Sequence, residues 1–283
     1  MAHIPDGFLS PSVLAGTAAA SAAALAVAAR RSRATLGERE APILGAATAF
    51  IFAAQTLNFP LGAGTSAHLL GGTLVAVILG PSSAMLVVFA VVLIQALLFQ
   101  DGGLAALGAN TLNLAVLGVG VGWLLFRWGY ALAGAGRRSL LAAATVAAYG
   151  STAVVGGSHA IVGLAEAALT FTILALVARS RPELLAHAVK ARPAARRLAW
   201  GAALGSLALA VFAAYLGSAR PDALQSAAAR LGLGRAPGAG FRAPLADYTA
   251  PIGGPWVAAA FGVVIVFGLV WGAATLAAAR RRP

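Results

Sequence analysis

The chain has 283 residues, of which 60% are hydrophobic and 10% charged; soluble domains run at about 45–50% and about 25%. Its mean hydropathy is +0.87, and 20 Lys/Arg with 8 Asp/Glu are too few to coat a soluble surface of this size. Cysteine is absent, so disulfide frameworks and thiolate metal sites are excluded, and the apolar content excludes intrinsic disorder. What remains is an all-α polytopic membrane protein. A net charge of +12 and a pI near 11.7 would suggest nucleic acid in a soluble chain. Here the basic residues form short clusters between apolar runs, the pattern of topology determinants. The expected surroundings are membrane lipid, with no nucleic-acid partner.

A bilayer core takes about 20 apolar helical residues. In chain order the apolar runs are 12–29, 41–57, 69–79, 83–99, 111–126, 139–157, 160–178, 198–217 and 255–279, which predicts about nine transmembrane helices. With the N-terminus outside and the C-terminus cytoplasmic, 16 of the 20 Lys/Arg residues fall on the cytoplasmic side, as the positive-inside rule asks. Residues 1–11 contain no Lys or Arg, unlike the basic start of a signal peptide, so the first run reads as an uncleaved anchor. The third run is short: eleven residues rise about 16 Å. The expectation is a recessed loop over 58–67 and a helix capped by Thr65 or Ser66, with His68 in its first turn. The polar, Pro-containing segment 180–197 marks a boundary near 190. Beyond it, 191–283 reads as a two-helix module with an external loop over 218–254.

Of four histidines, His3, His68 and His159 fall on the outer side by this topology; His187 is cytoplasmic and has no assigned role. His3 stands near the amino terminus. A free α-amine, intervening amide nitrogens and an imidazole can chelate one ion in a plane, a set that suits Ni(II), Cu(II) or low-spin Co(II) and rejects Ca²⁺ and Mg²⁺. The alternative is an ordinary lead-in with Pro5-Asp6-Gly7 as a turn. Metal-bound imidazoles give their other N–H to an acceptor, for which Asp6, Asp101 and Asn110 are candidates. His159 and Glu166 share a helix face. Glu166 lies inside a span, where a carboxyl is functional by default or makes a buried helix–helix hydrogen bond.

Four blocks, MAHIPDGFLSP, NFPLGAGTSAHLLGGTLVAVILGP, QALLFQDGGLAALGANTLN and SHAIVGLAEAALT, resemble those of the CbiM/NikM family. Its members are the substrate-binding membrane components of energy-coupling-factor ABC importers for cobalt and nickel. The resemblance covers roughly residues 1–180 and implies an M-type metal-binding component over 1–190, about seven helices. RPDALQSAAARLG and APLADYTAPI are similar to the N-type module fused to M in some members, with departures at Ala223 and Gln225. It implies a square-planar site made by the amine of residue 1, the amide and imidazole of the following His, and a second His that corresponds to His68. Here Ala2 intervenes. Removal of Met1 gives the family geometry, with ligands Ala2, His3 and His68. Retention of Met1 lets Met1-Ala2-His3 supply four nitrogens and moves His68 to an axial position or out of the set.

The resemblance also implies that Ni(II) or Co(II) is cargo, with no resident cofactor. The residues do not choose between the two metals, although the fused tail leans to nickel. No phosphate-binding loop is present, so ATP hydrolysis is expected in partner ATPase subunits, joined through a coupling transmembrane subunit. Ala-x-x-x-Ala surfaces dock such components, which makes Ala15, Ala19, Ala23, Ala49 and Ala53 candidates. The rivals are a self-powered channel or secondary carrier, a metal-binding protein that transports nothing, and an intramembrane hydrolase using Ser66, His68 and His159. The hydrolase suffers because residues two apart on a helix do not face each other.

Overall fold

The computed structural model describes residues 3–35, 41–62, 65–134, 136–155, 160–185, 194–216, 241–251 and 254–279. The chain is mostly helical: α1 (Pro11–Thr35), α2 (Ala41–Thr56), α3 (Gly72–Leu79), α4 (Pro81–Ile94), α5 (Leu107–Asn110), α6 (Val119–Ala133), α7 (Arg137–Val155), α8 (Ala160–Ser180), α9 (Ala194–Leu216) and α10 (Pro255–Ala279). A hairpin of β1 (Phe59–Gly62) and β2 (Thr65–Ala67) separates α2 from α3. Among the described residues, five helical stretches are long and apolar enough to cross a bilayer: Pro11–Arg33, Pro81–Phe99, Leu107–Ala133, Val162–Ser180 and Pro255–Ala279. Two shorter apolar helices, Ala41–Thr56 and Ala199–Tyr215, accompany them. The protein is a multi-pass membrane protein.

Two of the long stretches change pitch. α4 runs into a π-helical turn over Gln95–Phe99, and α5 reaches α6 through a π-helical stretch, Thr111–Gly118. Such widened turns recur at functional sites. The first closes with the Asp101 N–H donated to the Gln95 carbonyl at 3.0 Å and with Gln100 in the left-handed region at φ 55°. The chain leaves α4 abruptly there, and Asp101 is turned back into the protein.

The third apolar run departs from expectation. Thr65 and Ser66 do not cap a helix; they lie in β2, where Ser66 pairs with Pro60 and Ala67 with Phe59. His68 is not in a helical turn either, because α3 begins only at Gly72, after Gly71 at φ +70°. A left-handed residue stops helical propagation, and only glycine adopts it without cost. The eight residues of α3 rise about 12 Å, and the helix is buried from Gly72 through Val77. Its polar lead-in at Ser66–His68 is sealed by protein, as backbone of this kind must be.

The last two helices are part of the main body. α2 packs against both α9 and α10, and Phe52, Ala49 and Ala53 of α2 share one core with Ala210, Ala259 and Val263 of the tail. Close approach is set by Gly262, where a Cβ would stand 2.9 Å from the Phe99 ring and overlap that of Phe52. A second core joins α3, α6, α7 and α8 around Leu74, Val77, Phe126, Ala144 and Leu174. α1 lies at the rim. Small residues hold it there: Ser21 donates to the Gly108 carbonyl at 2.7 Å, and the Ser32 and Ser83 hydroxyls meet at 3.1 Å.

Candidate metal centre

The amino-terminal segment is threaded into the protein next to the end of α4. Ile4 is gripped by the Asn110 amide, which accepts the Ile4 N–H at 2.7 Å and donates to the Ile4 carbonyl at 3.0 Å. The Gly103 N–H donates to the same carbonyl at 2.9 Å. Asp6 accepts the N–H groups of Leu104 at 3.1 Å and Ala106 at 3.0 Å. These donors belong to the turn that leads into α5, and the carboxylate satisfies them. Gly102 and Gly103 permit the approach. A Cβ on Gly102, itself at φ +93°, would lie 3.0 Å from the His3 Cβ, and one on Gly103 would overlap the Asp6 backbone nitrogen.

This threading buries His3 to 3% exposure and brings it against His68, which is 1% exposed. The two imidazole centroids are 5.3 Å apart, with the rings inclined at 52°. His3 Nδ1–H donates to Asp101 Oδ1 at 2.7 Å. His68 Nδ1–H donates to the Leu69 carbonyl at 2.7 Å. The neutral His68 ring therefore carries its lone pair on Nε2. His3 Nε2 is buried and has no hydrogen-bond partner, a costly state for a polar atom unless something else is to bind it.

Burial, and then the positive neighbours His3 and the amino terminus, push the His68 pKa down from 6.5 to about 3. The ring is a neutral electron-pair donor at any physiological pH. Burial alone would raise Asp101, but the charge and hydrogen bond of His3, with help from His68 and Tyr248, bring it to about 2. Asp101 is thus an ionised acceptor. Among the described residues, no three His, Asp or Glu side chains are gathered so as to hold an ion.

The matching family model, a cobalt uptake substrate-specific transmembrane region, covers residues 3–184. The chain belongs to the CbiM family. NikMN of Archaeoglobus fulgidus, named for fused nickel transport, is 36% identical over an alignment of 292 residues that takes in 94% of this chain and 96% of that one. The fused nickel transport protein NikMN of Rhodobacter capsulatus is 39% identical over 147 residues, 52% of this chain and 42% of that protein. A crystal structure described as that of a transition metal transporter is 28% identical, with a TM-score of 0.56, and covers 65% of this chain and 96% of its own.

The CbiM-family chain brings together His3, His68, Asp6, Asp101 and Asn110. Only Asp101 accepts from an imidazole; Asp6 and Asn110 bind backbone and hold the segment that carries His3. Glu166 is 2% exposed, and its described partners are backbone groups. Its Oε1 accepts the N–H groups of Leu70 and, at 2.8 Å, Gly71. It thereby satisfies the donors before α3 and fixes the extended segment that presents His68. Met1, Ala2, His159 and most of the loop 218–254 lie outside the described residues. Ala15, Ala19 and Ala23 are exposed along α1, whereas Ala49 and Ala53 are fully buried against the chain's own helices and present no surface to a partner. Tyr248 was not singled out from the sequence, although it belongs to the APLADYTAPI block; its hydroxyl donates to Asp101 Oδ2 at 2.8 Å.

Proposed function

We propose that this chain, a cobalt/nickel transport component by family, captures Ni(II) or Co(II) outside the cell. The site is formed by the amino-terminal amine, the amide and imidazole of His3, and the imidazole of His68. The observation that carries this reading is the pair of buried imidazoles 5.3 Å apart, one with an unpartnered Nε2, at the end of a deliberately anchored amino-terminal segment. With Met1 removed, Ala2 supplies the amine; with Met1 retained, Met1 supplies it. Nitrogen donors in a plane favour Ni(II) or low-spin Co(II), and hard cations gain nothing there.

A chelate through the amide of His3 closes only with Nδ1, because Nε2 points away from the backbone. In the metal-free protein Nδ1–H is given to Asp101. Metal capture would therefore require His3 to release Nδ1 from Asp101 and to give up the Nδ1 proton. Amide and amine must lose protons as the ion binds, so affinity falls with pH. The ion is then enclosed by the amino-terminal segment and the hairpin of β1 and β2. Release inward is driven by ATP hydrolysis in two partner ATPase subunits, transmitted by a coupling membrane subunit docked along Ala15, Ala19 and Ala23. This reading keeps about nine crossings, with the N-terminus outside and the C-terminus cytoplasmic.

The test is titration of the purified protein in detergent with Ni(II), then Co(II), following ligand-field absorption and bound metal beside an amino-terminally acetylated preparation. One ion per chain, with a square-planar spectrum that acetylation abolishes, is the expected result. No stoichiometric binding, or binding indifferent to acetylation, overturns it.

A further inference from the structure

Residues 241–251 run from the tail towards the end of α4 and pack beside the metal centre. The Leu245 N–H donates to the Leu98 carbonyl at 2.8 Å, and the Ala243 N–H to Gln100 Oε1 at 3.3 Å. The Tyr248 ring stacks on Phe99, with centroids 4.6 Å apart and planes inclined at 18°. Tyr248 and Asp247 are both non-glycine residues in the left-handed region, at φ 54° and 55°. Such backbone persists only where the surroundings over-determine it. Here it aims the phenol at Asp101, whose two oxygens are divided between His3 and Tyr248.

We infer that Tyr248 is a positioning residue for the metal centre: its hydroxyl pins one oxygen of Asp101 so that the other meets the His3 imidazole. The inference rests on the function proposed above. A carboxylate held at one oxygen only can swing about its side-chain torsions, and an imidazole partnered by a swinging carboxylate loses its orientation and part of its donor strength. Burial, and next the Asp101 charge, push the Tyr248 pKa well above 10. The phenol keeps its proton and donates at every pH at which the protein is folded.

The experiment is a double-mutant cycle on the full chain with Tyr248→Phe, Asp101→Asn and the pair. The readouts are competitive Ni(II) titration, the ligand-field band and the melting temperature. Tyr248→Phe keeps the stack on Phe99 and both backbone-donated hydrogen bonds of the loop, so the melting temperature should fall only by what one unpaired Asp101 oxygen costs. Nickel affinity should fall about fivefold, one ordinary hydrogen bond, with a shifted ligand-field band. Asp101→Asn should cost tenfold or more, and adding Tyr248→Phe to it should cost nothing further. Unchanged nickel affinity in Tyr248→Phe overturns the inference. So does a loss that persists in the Asp101→Asn background, which marks a general structural effect even where melting is also lowered. Wild type that binds no nickel overturns the proposed function and this inference with it; wild type that binds, with Tyr248→Phe unaltered, overturns the inference alone.

Discussion

Glu166 bears on the proposed metal centre through the segment before α3, and the effect of its removal follows from its hydrogen bonds. Its Oε1 accepts two backbone N–H groups, those of Leu70 and Gly71, at a site 2% exposed. Glu166→Ala leaves both donors buried and unpaired at about 1–3 kcal/mol each, or roughly 2–6 kcal/mol together. Glu166→Gln keeps a carbonyl oxygen in the same place and gives up about 1 kcal/mol of charge assistance. The cost falls on the segment that presents His68. The alanine variant should therefore weaken nickel binding at least about tenfold, which corresponds to about 1.4 kcal/mol of the total. The glutamine variant should stay within about fivefold of wild type. Competitive Ni(II) titration and thermal melting, both in detergent, read the two effects. An alanine variant that binds nickel within about twofold of wild type and melts where wild type does refutes the assignment of Glu166 to the His68 segment.

Gly103→Ala places a Cβ on the Asp6 backbone nitrogen, which cannot yield as a flexible side chain would. Nickel binding should be lost by tenfold or more while the melting temperature moves little, because the segment displaced lies outside both helical cores; the same titration and melt check this. Metal-free protein should lose stability as pH drops. His68 titrates near 3 when folded and near 6.5 when unfolded, so the unfolded state binds the extra proton throughout that window, at about 1.4 kcal/mol per pH unit. Asp101, depressed to about 2, adds stability that is complete above its ordinary value near 4 and is lost as pH falls through 2; melting curves from pH 7 to 4 read the first effect, and a flat profile contradicts the burial of neutral His68. Ala19→Leu on the exposed face of α1 should leave nickel titration of the isolated chain unchanged and reduce co-purification of the coupling subunit, whereas an unaltered complex removes that face from the docking surface.

The long helices were legible because their apolar runs are continuous. The bounds of α2, α8 and α10 fall within two residues of the runs read from the sequence, and α1 begins one residue early and runs six residues past the end of its run. The segment before α3 was misread because a polar pair such as Thr65-Ser66 followed by an apolar run has the same local pattern whether it caps a helix or ends a strand. What decides between them is Gly71 in the left-handed region and a carboxyl 95 residues away in sequence, and no local pattern encodes that pairing. His3 and His68 could be found because histidine is rare in so apolar a chain. Asp101 could be placed only by its outer position, and its contact with His3 follows from a π-helical turn that sequence periodicity does not announce. The alanine spacing was the weakest signal. Ala15, Ala19 and Ala23 are exposed while Ala49 and Ala53 are sealed, because close packing inside and docking outside both select small residues.

The electrostatics of the centre argue for the same kind of ion as its geometry. Among the described residues the carboxylate that meets the imidazoles is Asp101, and its two oxygens accept from His3 and Tyr248. Asp6 is likewise spent on the backbone of Leu104 and Ala106. Among the described residues these two carboxylates are engaged in hydrogen bonds, and a cation that needs six or more oxygens is poorly served by them. What is left is nitrogen: two imidazoles, one kept neutral by burial, at the end of a chain terminus. An ion whose charge must be balanced at such a site has to take protons from the amide and amine that bind it, which only a strongly polarising transition metal does at neutral pH. Commitment of the carboxylates to hydrogen bonds is therefore part of the selectivity: Asp101→Ala, by freeing His3 and the Tyr248 hydroxyl, should weaken nickel without creating a calcium site, and calcium binding by that variant would contradict the argument.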